Sequence, residues 1–188
     1  MRCVTTAILV LGMVGCSNKV VDAPAADYSI TLTTPYGPSH GCYVEGKLYT
    51  ARHVVQPFGR PPVNAAWRDG YGNEGLAVLR AISSFGDLAM LEIVSGEPYL
   101  NHPKSRAEVE PGTVLAWFEY SYQSVPDAFR AKYRKATVTR AIGGVLVLDK
   151  LPVPGASGTC VFDEEGAVVG LIVWGHEVGV GLVARIHD

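Results

Sequence analysis

From Tyr28 onward the chain is written in short apolar words separated by turn residues. "YSITLTT" alternates and is rich in β-branched residues. "GCYVEGKLYTARHVV" holds two short apolar runs around the turn-like Glu45-Gly46. "GLAVLRAI", "LAMLEIV" and "TVLAWFEYS" follow, and the later part offers "KATVTRAI", "GVLVLDKL", "CVFDEEGAVVGLIVW" and "VGVGLVARI". Each is bounded by Gly, Pro, Ser or Asn, the signature of strands. Parallel strands need crossovers of a dozen or more residues, usually helical, and the connecting segments here lack them. The pattern therefore predicts an all-β, antiparallel chain. "PDAFRAKYRK", Pro126 to Lys135, is open to a helical reading and reads equally as an extended loop. Glu164-Glu165-Gly166 is a hairpin signal between two apolar strands. A polar, Pro-containing stretch, Asn101 to Gly112, divides the body into two all-β halves of similar length.

The 188 residues are 48% hydrophobic, enough to bury a sizeable interior. With a formal net charge of −2 and no basic run, nucleic acid is not an expected partner. There is no CxxC pair and no HxxxH-type spacing, so neither a metal nor another cofactor is expected.

The first residues stand apart. "MRCVTTAILVLGMVGCSNKV" carries one positive charge, Arg2, then an apolar run from Cys3 to Gly15. That run is shorter than the ~20 residues a bilayer-spanning helix takes, and fits an export signal. Met13-Val14-Gly15 before Cys16 resembles the bacterial lipoprotein cleavage box. The resemblance implies a signal peptide over 1–15 and Cys16 as the lipidated first residue of the mature protein. Ser17, where an inner-membrane protein would carry Asp, implies an outer-membrane lipoprotein facing the periplasm. Without lipidation the chain would be secreted or periplasmic. Residues 16–27 then read as a polar tether. Export leaves Cys42 and Cys160 in the mature body and makes a disulfide permissible.

Three short words carry chemistry. "LYTARHVV" places His53 just after an apolar strand, "FGDLAMLEI" places Asp87 directly before another, and "LPVPGASGTCVF" sets Ser157 among glycines. Taken singly, each reads as an ordinary turn or core residue. Together they are the types nucleophilic catalysis requires. A serine hydroxyl attacks only when an imidazole takes its proton, and the imidazole needs a carboxylate to hold its tautomer.

In that order, these words resemble the trypsin/chymotrypsin-like serine peptidases, and most closely the HtrA-type branch. That branch reads "LTAAHVV", "DLAVLKI" and "NPGNSGGPVFD" at the corresponding places, with an Asp leading its serine loop as Asp149 does here. "ATVTRAIGG", "VVGLIVWG" and "GVGLVARI" resemble its neighbouring strands, so the resemblance runs from Gly41 to Ile186. It implies two antiparallel β-barrels of the six-stranded type, over 28–105 and 106–188, with the active site in the cleft between them. His53 and Asp87 would come from the first barrel and Ser157 from the second. The N–H groups of Gly155 and Ser157 would form the oxyanion hole. Leu151, six residues before the serine, would set the pocket floor, with Val173, Trp174 and Gly175 along its side. That lining implies an apolar residue before the cut bond; His176 would instead favour a polar or acidic one.

The chain departs from the family at four places. Arg52 replaces an alanine beside the histidine, and Thr159-Cys160 replaces Gly-Pro after the serine loop. Ala156 replaces the aspartate with which digestive members bind a newly cut N-terminus. By family analogy Cys160 lies near Cys42, which implies a Cys42–Cys160 bridge. No PDZ module is expected after the last strand. The function implied is a serine endopeptidase working through an acyl-enzyme on a protein or peptide substrate, anchored to the membrane by lipid. The rival expectation is the same fold without catalysis, serving as a binding or structural envelope lipoprotein. Nothing in the sequence sets an oligomeric state.

Overall fold

The computed structural model describes residues 30–84, 86–99, 101–119, 132–173 and 180–186. Six strands form the first barrel: β1 (Ile30–Thr34), β2 (Gly37–Val44), β3 (Lys47–Ala51), β4 (Ala65–Asp69), β5 (Glu74–Ile82) and β6 (Leu88–Ser95). A single helical turn, α1 (Arg52–Val55), follows β3. Six more form the second: β7 (Val114–Glu119), β8 (Lys132–Ile142), β9 (Val145–Leu148), β10 (Cys160–Phe162), β11 (Val168–Ile172) and β12 (Gly181–Arg185). The first closes in the order β1-β2-β3-β6-β5-β4 and the second in the order β10-β11-β12-β9-β8-β7. Every barrel pairing is antiparallel. Closure removes the free edges that short strands would otherwise expose.

Local chemistry explains the turns. Val44 pairs with Lys47, leaving Glu45 and Gly46 as a two-residue loop with φ of 48° and 79°. Two positive φ values match the twist of an antiparallel ribbon, which is why a glycine sits there. The Glu164-Glu165-Gly166 signal is the β10–β11 hairpin, where Asp163 Oδ1 accepts the N–H groups of Glu165 and Ala167, both at 3.0 Å.

The strand missing from the sequence reading is β4, "AAWRD". Its alternation is real, with Ala65 and Trp67 buried and Ala66 and Arg68 exposed. The two prolines just before it, and its small residues, hid the pattern. At the other open point, Lys132–Lys135 opens the long strand β8, so that end of the Pro126–Lys135 segment is extended; its start lies outside the described residues.

The core explains why some strands lose their alternation. In β7, Leu115 and Trp117 fill the second barrel's interior with Val138, Leu146 and Val161. Ala116 and Phe118, on the other face, join a cluster shared with Leu32, Cys42, Leu48 and Leu91 of the first barrel. A strand with one face in each cluster reads as a continuous apolar run. Burial of such side chains contributes about 1.5–3 kcal/mol each, and here it also fixes one barrel against the other.

The connection between barrels is bound on both sides. His102 N–H donates to Tyr43 O at 3.3 Å, and its carbonyl accepts Glu45 N–H at 3.1 Å. Three residues on, Ser105 N–H donates to Val168 O at 2.8 Å. A covalent bond completes the join: Cys42 of β2 is disulfide-bonded to Cys160 of β10.

Candidate active site

The strand β3 ends at Ala51 and the chain turns at once into α1, which delivers His53 at the lip of the first barrel. Asp87 stands directly before β6, the strand paired with β3, and Ala51 opposes Leu88 in register. The pairing makes the contact between His53 and Asp87 local. His53 Nδ1 is hydrogen-bonded to Asp87 Oδ2, and the other carboxylate oxygen accepts the His53 backbone N–H at 2.9 Å. Arg52 N–H donates to the Asp87 carbonyl at 3.1 Å. Asp87 is thus gripped at both oxygens and at its backbone. A carboxylate that accepts Nδ1–H leaves Nε2 as the acceptor nitrogen of the ring. His53 and Asp87 side chains are 34% and 30% exposed, so the pair borders solvent.

Ser157 comes from the loop between β9 and β10, and its backbone is clasped by both barrels. Its carbonyl accepts His40 N–H at 3.3 Å and Ser39 Oγ–H at 3.1 Å, both from β2. The next N–H, of Gly158, donates to Ile172 O in β11 at 2.7 Å. So close an approach explains the glycine: a Cβ at 158 would lie 1.9 Å from His40 O, and φ there is +87°. Gly155, at φ +93°, likewise takes a conformation that side-chain-bearing residues avoid. The Ser157 hydroxyl donates to Val173 O at 3.1 Å.

The remaining expected residues fall as follows. Leu151 is 43% exposed, and Val173 is buried. Trp174, Gly175 and His176 lie outside the described residues, as does Cys16. Arg52 turns outward, its Nε donating to Gln56 Oε1 at 3.2 Å. Thr159 is buried, with its N–H on Ala156 O at 3.0 Å. Asp149 clamps a hairpin: Oδ1 accepts Thr137 N–H at 2.8 Å, and its own N–H donates to Thr137 O at 2.9 Å. Ala156 packs in the second barrel's core beside Leu115, Trp117 and Ile172.

Two residues at this site were not picked out from the sequence. One is His40, whose backbone N–H holds the Ser157 carbonyl and whose side chain is buried; burial lowers its pKa to about 4, and a contact with the Ile30 backbone opposes the shift in part. Because the folded pKa lies below the unfolded value of about 6.5, neutral His40 stabilises the fold above that pH, and the contribution fades as pH falls toward 4. Stability is expected to fall by about 2–3 kcal/mol from this group between pH 7 and 4.5. Urea midpoints at the two pH values, in wild type and His40→Gln, measure it; equal pH sensitivity in both would remove His40 as the cause.

The other is Glu119, 5% exposed at the end of β7. Its Oε2 accepts Arg134 Nε–H at 2.6 Å, and its Oε1 accepts Val153 N–H at 3.3 Å. The sequence alone did not mark it: a buried carboxylate needs partners, and those of Glu119 lie 15 and 34 positions along the chain.

Two closed six-stranded barrels, with a His–Asp pair on one and a glycine-flanked serine on the other, define the architecture of a chymotrypsin-like serine peptidase. Residues 40–171 match the trypsin-like peptidase domain, and the chain belongs to that family. Among solved structures, the serine protease of a human pathogenic astrovirus is similar, with TM-score 0.67 and 17% identity over 87% of this chain and 91% of that one. The Rv3671c protease in an inactive form is similar to the same degree, at TM-score 0.67 and 17% identity over 89% of this chain and 88% of that one. No curated protein matches the sequence.

Proposed function

We propose that the protein is a serine endopeptidase in which Ser157 is the nucleophile, His53 the general base and then acid, and Asp87 the residue that orients His53. The observation that supports it most is Asp87, whose two oxygens take the backbone and the ring of His53 and so leave Nε2 to receive a proton. In this reading the Ser157 hydroxyl, bonded here to Val173 O, turns to that nitrogen before it attacks. The serine oxygen attacks the peptide carbonyl, His53 passes the proton to the leaving amine, and water releases the acyl group by the same path. The developing oxyanion is received by the N–H groups of Gly155 and Ser157; removing such a donor typically costs about 3–4 kcal/mol. Leu151, apolar and exposed, supports an apolar residue before the cut bond.

The substrate is a protein or peptide. From residues 1–27 we place the enzyme in the bacterial envelope, held by lipid on Cys16, and the Cys42–Cys160 disulfide suits that oxidising compartment. The rival reading, an inactive fold that binds partners, draws on one observation: the Ser157 hydroxyl is turned to Val173 O.

Incubation of the body, residues 28–188, with a peptide library, followed by mass spectrometry, tests the proposal. Cleavage after apolar residues is expected from wild type and none from Ser157→Ala. Cleavage that survives Ser157→Ala would assign the activity elsewhere.

A further inference from the structure

Ala156 cannot form the ion pair with which an aspartate at that place would fix the serine loop, so the loop must be held by something else. Two features hold it. Ala156 is sunk in the second barrel's core, which anchors the loop from within. On the outside, Glu119 accepts the Val153 N–H, and the Val153 carbonyl in turn accepts Ala156 N–H at 3.2 Å. Ala156 O then accepts Thr159 N–H at 3.0 Å. Gly155 and Ser157 lie within this run of two turns, whose first bond is to Glu119.

Glu119 is itself fixed. It faces Lys132 in register, and its Oε2 is held by Arg134 from the neighbouring strand β8. A buried carboxylate bound to a guanidinium has little freedom, and its second oxygen is therefore a fixed acceptor. A side chain without an acceptor oxygen here would leave the Val153 N–H without this partner, and the segment before Gly155 free to turn its peptides.

We propose that Glu119 is the positioning residue of the oxyanion segment, holding Val153–Gly155 in the shape that aims the Gly155 and Ser157 N–H groups at the reacting carbonyl. This rests on the serine-peptidase reading above. Glu119 touches no reacting atom. Its effect falls on the rate of bond formation rather than on encounter with the ligand, because the oxyanion develops only in the transition state.

The test is the kinetics of phosphonylation by a fluorophosphonate, resolved into kinact and KI, for wild type, Glu119→Ala and Glu119→Gln, with thermal midpoints alongside. Glu119→Ala is expected to lower kinact about tenfold or more, the scale of a misplaced catalytic donor, with KI unchanged within about twofold. Glu119→Gln keeps an oxygen for the Val153 N–H, and Arg134, 45% exposed, has solvent to turn to, so most of kinact should return. A wild type that labels beside an Glu119→Ala variant of equal kinact overturns the role of Glu119 alone. So does an equal loss in both variants that tracks their thermal midpoints. A well-folded wild type that never labels overturns the peptidase reading, and this inference with it.

Discussion

Asp87→Asn is expected to slow peptide hydrolysis about 10⁴-fold while leaving the fold intact, the size of effect that follows when the imidazole is held in the wrong tautomer. The direction follows from the two bonds Asp87 makes. Its Oδ1 accepts the backbone N–H of His53 at 2.9 Å, and its Oδ2 meets the ring at Nδ1. An asparagine must give its one oxygen to the backbone N–H, since two N–H groups cannot face each other there. Its amide NH₂ then points at Nδ1 and makes that nitrogen the acceptor. The ring proton moves to Nε2, and His53 can no longer take a proton from Ser157. Steady-state kinetics on any peptide cleaved by the wild type would show the loss in kcat, with KM little changed. A variant within tenfold of wild type would mean that Asp87 does not set the tautomer.

Removal of the Cys42–Cys160 disulfide has the largest expected effect on stability. The bridge closes a loop across a sequence separation of 118 residues, from β2 of one barrel to β10 of the other. In the chain-entropy account a loop of that length contributes about 4–5 kcal/mol, a large share of a typical domain's net stability. Both sulfurs are buried in the shared cluster, so the Cys42→Ala/Cys160→Ala protein also loses packing between the barrels. Urea unfolding should show a midpoint shift equivalent to about 4 kcal/mol or more. Cys160 is also three residues from Ser157, and β2 supplies the two donors that hold the Ser157 carbonyl. Activity at moderate temperature should therefore fall before the chain unfolds. Stability within about 1 kcal/mol of the wild type would show that the barrels are held by their apolar contacts alone.

The all-β class was legible because closed antiparallel barrels are made of short strands joined by turns, and both leave local marks. The Glu45-Gly46 loop and the Asp163-to-Gly166 hairpin are examples in which a few residues determine the geometry. β4 was not legible, because Trp67 is the only large buried residue in "AAWRD" and its burial comes from strands far along the chain. The His53–Asp87 pairing follows from β3 lying beside β6, a relation that adjacent residues do not encode. The same holds for His40 and Glu119. His40 lies in β2 yet its N–H holds the Ser157 carbonyl, and Glu119 reaches Val153 across 34 positions. Their importance comes from what the barrels bring to them.

Labelling of the body, residues 28–188, with a fluorophosphonate, followed by peptide mapping, is the most direct test of the central claim. The account predicts one adduct, on Ser157, absent from Ser157→Ala and lost in His53→Ala. A folded, disulfide-bonded wild type that takes no adduct at Ser157, under conditions where a known serine peptidase is fully labelled, would contradict it.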